Sequence, residues 1–215
     1  MRKKIAVFLN DIGHLPIHER LTVIAFGAVI LALPFTYQPA LIFGKVDGTN
    51  LKLSIAVAIV CSYVIVSLPL IVRSLATLRG LWLNYIFLAL CLYVSIRVLG
   101  TANLTRGVFT ASFLWMLFGV FLSVQATWPV LRNYWSVYRA LLYGTTLIVC
   151  VFALWQLLAD AAGLSELTLL PLTYQSPVFG FARPTGFSLE PQFLGSFLLV
   201  PIIISAYALL QKQPV

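Results

Sequence analysis

Six apolar runs divide this chain, each close to the length that a lipid bilayer imposes on a helix. A hydrocarbon core about 30 Å thick needs about 20 apolar residues to cross it. The runs are Leu21 to Tyr37, ended by Pro34 and Pro39; Leu53 to Val72, with Pro69 near its end; Leu81 to Leu99; Gly107 to Val124; Ala140 to Ala159; and Gln192 to Leu210. Composition says the same. Charged residues make up 9% of the chain, against about 25% in a soluble domain, and mean hydropathy is +0.99. The expected fold class is all-α: a polytopic transmembrane helix bundle of about six spans.

Six spans return the chain to the side where it began, and the basic residues test which side that is. One side collects Arg2, Lys3, Lys4, Arg20, Arg73, Arg79, Arg132, Arg139 and Lys212; the other collects Lys45, Lys52, Arg97, Arg106 and Arg183. The positive-inside rule then predicts that both termini are cytoplasmic. Four of the six acidic residues (Asp47, Asp160, Glu166 and Glu190) fall on the outer side, leaving it nearly neutral. Tyr37, Trp82, Trp128, Trp135 and Tyr138 sit at span ends, where aromatic rings anchor at the headgroups. The net charge of +8 is therefore explained by orientation, with no stripe of the kind that binds nucleic acid.

Four regions follow. Residues 1–20 form a cytoplasmic or interfacial leader, with an uncleaved first span after it. Residues 21–159 form a five-span bundle. The longest connection, 160–191, is predicted to be periplasmic; its Leu164 to Leu172 stretch is apolar and interfacial, and connections this long without an obvious element are usually functional or flexible. Residues 192–215 form the sixth span and a cytoplasmic tail.

Few side chains could carry chemistry. Cys61, Cys91 and Cys150 each lie inside an apolar run, an odd number without close spacing. They read as small buried hydrophobes rather than as a disulfide framework or a zinc site. His14 and His18 are four apart, which on one helix would share a face. Pro16 lies between them and no third ligand is near, so two solvated histidines are expected. Polar groups within spans are Asn84, Gln125, Gln156 and the outer-end Arg97. Arg97 is expected to snorkel to the headgroups, and Gln156 to bond a neighbouring helix. No carboxylate or lysine sits at mid-membrane, which disfavours ion-coupled transport. No internal repeat supports a transporter either. No metal and no cofactor is expected.

One stretch differs from everything else: Phe179 to Gly195, where the long connection turns into the last span. Arg183 lies between Ala182 and Pro184, with Gly186 three residues on. Proline biases its predecessor toward extended backbone, so the guanidinium is presented from a stiff segment. Its planar fork of donors suits phosphate or pyrophosphate. Glu190 and Pro191 then open the sixth helix, where a proline and a carboxylate are both favoured. The same residues also fit a plain helix start, with Arg183 as an interfacial anchor or a partner for Glu190.

The run Arg183-Pro-Thr-Gly-Phe-Ser-Leu-Glu-Pro-Gln-Phe-Leu-Gly-Ser-Phe-Leu resembles the segment that opens the conserved region of the O-antigen ligase and polymerase superfamily. These are polytopic glycosyltransferases of the bacterial inner membrane. They move a glycan from an undecaprenyl-pyrophosphate carrier to an acceptor at the periplasmic face. The resemblance implies that Arg183 contacts the carrier's phosphate and that Gly186, Glu190 and Pro191 orient the motif. It covers the end of the chain; elsewhere the agreement is one of hydropathy. Members of the family continue into a large periplasmic loop bearing further arginines and a histidine proposed as general base. Here the only histidines are in the leader, out of reach of that face. The chain is thus expected to be an N-terminal portion, inactive alone, without a catalytic residue of its own, and completed by a missing C-terminal half or a partner subunit. A non-enzymatic membrane scaffold or partner subunit is the alternative, with a small transporter ranking below it.

Overall fold

The computed structural model describes residues 11–35, 40–46, 49–101, 104–168, 184–187 and 191–210. Each of the six apolar runs contains a helix. In chain order the elements are α1 (Ile17–Ala32), strands β1 (Ala40–Val46) and β2 (Thr49–Ser54), α2 (Ile55–Arg73), the short α3 (Leu75–Arg79), α4 (Trp82–Val98), α5 (Leu104–Leu131), α6 (Trp135–Ala161) and α7 (Pro191–Leu210). Three stretches, Ile55–Arg73, Gly107–Ala161 and Gln192–Leu210, are long and apolar enough to cross a membrane. Within the second, a 3-10 turn at Arg132–Tyr134 separates α5 from α6. The helical membrane class expected from the apolar runs stands.

The connection around Lys45 to Lys52 is an antiparallel hairpin. Ala40 pairs with Ser54 and Val46 with Thr49, and the register shifts between Ile42 and Gly44. The pair Val46 and Thr49 leaves Asp47-Gly48 between the strands, a dipeptide strongly favoured in two-residue hairpin connections. Strand β2 runs directly into α2. Ser54 is the N-cap: its Oγ accepts the Val57 N–H at 3.3 Å, satisfying one of the free amides of the first turn.

By contact the chain divides into two units, residues 1–26 with 59–137 and residues 27–58 with 138–215. In the first, α2 and α5 approach closely because Gly119 offers no side chain. A Cβ there would lie 3.2 Å from Val64 Cγ1. Small residues of this kind let helices pack without hydrophobic driving force in lipid. The residue before Val64 in α2, fully buried Tyr63, shares a hydrogen bond with the Thr127 hydroxyl at 2.8 Å. Phe26 packs on its ring, 5.5 Å between centroids. Helix α4 pairs with α5 through Phe87, which meets both Phe118 and Phe121, and through the Trp115 indole, which donates to Ser95 Oγ at 3.0 Å.

The leader also joins this unit. Helix α1 begins at Ile17, just after Pro16, with the Arg20 N–H bonded to the Pro16 carbonyl. His14 lies in the turn before that proline and His18 inside the helix, so the shared helical face imagined for the pair does not exist. His18 Nε2 instead accepts from Arg73 Nη1 at 3.0 Å. The Tyr134 hydroxyl, in the 3-10 turn, is pushed above its ordinary pKa by burial and then by the carboxylates of Asp11 and Glu19. The leader, the end of α2 and the α5–α6 turn therefore meet at one end of the unit. Trp128 and Trp135 flank that turn edge to face, 6.0 Å apart.

The three cysteines are free. Cys91 is buried as expected, but Cys61 is half-buried and Cys150 exposed, because the three positions fall on different faces of their helices.

The Tyr63–Thr127 bond lends itself to a double-mutant cycle with Tyr63→Phe and Thr127→Val. The expected coupling is about 0.6 kcal/mol and no more than about 1.7, the range for hydrogen bonds between membrane helices. Unfolding in mixed micelles measures it.

Candidate functional site

Helix α6 buries one stripe: Tyr138, Leu142, Thr145, Val149, Gln156 and Ala159. Steps of three and four place these residues on one face of the helix, and Phe152 falls in the same stripe. The helix stops at a glycine cap. Gly163 has φ +74, the Leu164 N–H reaches the Ala159 carbonyl at 2.8 Å, and the Gly163 N–H reaches Asp160 at 2.9 Å. This pattern closes a helix end while satisfying its last carbonyls. A 3-10 turn, Ser165–Thr168, follows, and the Trp155 indole donates to the Leu167 carbonyl at 3.1 Å.

Against the α6 stripe lies the segment Thr185-Gly186-Phe187. Gln156 Oε1 accepts two consecutive backbone amides, Thr185 N–H at 3.1 Å and Gly186 N–H at 3.0 Å. Gln156 is 1% exposed and Thr185 2%, so neither amide has water as an alternative. An unmade bond at such a site costs about 1–3 kcal/mol. Both neighbours are donors, which fixes the carboxamide with its oxygen toward the turn. Its Nε2 is buried and has no partner among the described residues. Phe187 stacks on Phe152, with centroids 4.4 Å apart and planes 4° from parallel, and touches Phe35 at 5.0 Å. Gly186 has φ +58, and a Cβ on it would come within 3.2 Å of Leu194 and 3.3 Å of Val149.

Of the residues singled out in the sequence, Gly186 is thus the pivot of a buried turn held between α6 and α7. Pro191 is the first residue of α7, as its preference for the first helical position predicts. Arg183 and Glu190 lie outside the described residues. Gln156 was expected to bond a neighbouring helix; it bonds the backbone of this turn instead, because two consecutive buried amides outside helix need an acceptor. Sequence reasoning did not connect Gln156 or Phe152 to the motif, although both lie on the periodic face of α6.

Other polar groups are structural. Asn84 donates to the Leu78 carbonyl at 2.8 Å and accepts from Gln125 at 3.0 Å. It borders an apolar cavity of about 180 Å³ between Ile71, Leu78, Leu88 and Phe118 that holds no titratable group beyond Tyr85. Arg97 is exposed in the last turn of α4, where a cation complements the helix dipole. Among the described residues no cluster of His, Cys, Asp or Glu could hold a metal ion.

Fold and site together define a class: a helical integral membrane protein whose last apolar helix is preceded by a clamped, glycine-centred turn. No family model, no curated protein and no solved structure matches the chain.

Gly186→Ala is expected to destabilise the protein by about 1–2 kcal/mol from the left-handed backbone alone, with further loss from the contacts with Leu194 and Val149. A lowered thermal midpoint in detergent measures this. Gly144, which has open space around its Cβ position, is the control: Gly144→Ala should be neutral or mildly stabilising, since alanine is the better helix former.

Proposed function

We propose that this chain is the N-terminal portion of an O-antigen-ligase-like glycan transferase, working at the periplasmic face of a bacterial inner membrane. It supplies the scaffold that faces the lipid carrier and one phosphate-binding arginine, Arg183. The observation that carries this reading is the run Arg183-Pro-Thr-Gly-Phe leading into α7, with its glycine in the left-handed conformation that only glycine adopts without strain. The motif resemblance and the special backbone at its centre point to the same residues.

The topology proposed with it has six crossings and both termini in the cytoplasm. It draws support from the first unit, where the leader, Arg73 and Tyr134 meet at one end. Those three segments are the ones that the distribution of basic residues assigns to the cytoplasm.

In the reaction, a base removes the proton from an acceptor hydroxyl, whose oxygen attacks the sugar carbon joined to the carrier. The carbon–oxygen bond to pyrophosphate breaks, and its electron pair departs with undecaprenyl pyrophosphate. Arg183 stabilises the charge that develops on that leaving group. The base has to lie within hydrogen-bond reach of the acceptor. His14 and His18 are the only histidines in the sequence, and His18 is engaged with Arg73. The base is therefore assigned to a further segment or a partner subunit. The same observation favours a second reading, a non-enzymatic scaffold or subunit of a larger membrane complex. Co-purification separates the two: a stable partner carrying an extracytoplasmic loop with histidine and arginine supports the split enzyme.

Replacing Arg183 by Ala in cells carrying the complete system is expected to lower glycan transfer about 100-fold or more, the loss seen when one donor to a developing charge is removed. Arg183→Lys should recover part of it, since lysine keeps the charge and loses the fork. Unchanged transfer in both variants overturns the role. A topology reporter fused after Gly180 is expected to be active on the periplasmic side; cytosolic activity overturns the orientation.

A further inference from the structure

Helices α2, α4 and α5 approach one another at Gly119 and Phe87 but leave a gap near the end of α2. It is the cavity of about 180 Å³ between Ile71 of α2, Leu78 of α3, Leu88 of α4, and Phe118 and Leu122 of α5. We propose that this cavity is a lipid site and takes one acyl chain of a bilayer phospholipid.

The chemistry of the wall excludes water. Its carboxamide, Asn84, is already engaged: Nδ2 donates to the Leu78 carbonyl at 2.8 Å and Oδ1 accepts from Gln125 at 3.0 Å. What faces the cavity is almost all carbon. A trapped water needs about two to four polar partners, whereas an apolar cavity of about 150 Å³ stays dry and takes up benzene. Left empty, such a space forfeits contact on every wall. A short stretch of hydrocarbon chain restores those contacts and brings no polar group with it.

The surroundings say where that chain comes from. Leu78, Asn84 and Phe118 form a buried floor, while Leu75 and Tyr85 are exposed at the rim, so the cavity is open to the outside of the protein. Its α2 and α5 walls belong to Ile55–Arg73 and Gly107–Ala161, both long and apolar enough to cross a membrane. Beside Tyr85, α4 exposes Leu83, Ile86 and Leu90. The rim is thus continuous with an apolar surface of the kind that lipid covers. Depth then selects a phospholipid. Trp82 and Tyr85, exposed in the first turn of α4, are ring types that settle at headgroup level. Arg73, exposed in the last turn of α2, sets a cation at the same end, which complements a phosphate. A chain entering at the rim leaves its own headgroup there.

The test uses the full chain in detergent, delipidated in steps and followed by native mass spectrometry. The wild type should retain a single phospholipid after the others are gone, and adding back palmitoyl-oleoyl phosphatidylglycerol should raise its thermal midpoint. Leu88→Trp fills the cavity and should lower retention about 10-fold and abolish that rise, because the indole occupies the volume the chain used. Leu147→Trp, on an exposed position of α6, should behave as wild type. If Leu88→Trp does not accumulate, Leu122→Phe fills the same space from α5. If neither does, a phospholipid with a diazirine in mid-chain probes the wild type directly, and should label Leu88 and Leu122 well above Leu147. Wild-type retention in Leu88→Trp, equal loss in Leu147→Trp, or even labelling across the three leucines overturns the site. A lipid-free wild-type dimer that Leu88→Trp dissociates overturns it in favour of a second copy. Displacement of the phospholipid by a polyprenyl phosphate at equal mole fraction overturns the choice of occupant.

Discussion

Buried backbone amides outside regular structure have to find an acceptor, and this structure shows how that requirement is met. Its clearest instance is the carboxamide of Gln156, which meets two consecutive amides at Thr185 and Gly186. In water those amides would be satisfied without help. Here Thr185 is almost fully buried, so one polar side chain on an otherwise apolar helix decides where the chain can turn. The same demand is met elsewhere by other means. Ser54 caps α2, and α6 closes at Gly163, whose N–H bonds the Asp160 carbonyl while that of Leu164 bonds Ala159.

Close packing does the rest. Lipid tails are as apolar as leucine, so burial against lipid alone does not bring helices together. Contacts instead form where small residues admit a neighbour, as Gly119 admits Val64, or where hydroxyls pair, as Tyr63 and Thr127 do. Gly186 combines both features. It is small enough to sit between Val149 and Leu194, and it takes up a backbone conformation that a Cβ would strain. A turn made this way tolerates little change.

Most of the helical architecture was legible in the order of residues. Six apolar runs became six helices, because length and hydropathy are local properties that survive any packing. The start of α7 at Pro191 was legible too, since a proline's fixed torsion and missing amide suit only the first turn. Failures came where a local pattern had two outcomes. The residues flanking Asp47-Gly48 carry no long period of their own, yet they pair as strands. The dipeptide was the available signal. His14 and His18 had helical spacing, but Pro16 put the helix start between them. Cys150 sat in an apolar run and yet lies on an exposed face.

The helical membrane class and the start of α7 at Pro191 follow from the amino-acid sequence by itself, because hydropathy and proline chemistry act within a few residues of their source. The bond from Gln156 to a turn 29 and 30 residues further along follows from nothing local. A glutamine in an apolar helix advertises a need for a partner without naming one. Only the fold, by laying Thr185 and Gly186 against the buried face of α6, decided which amides it would meet.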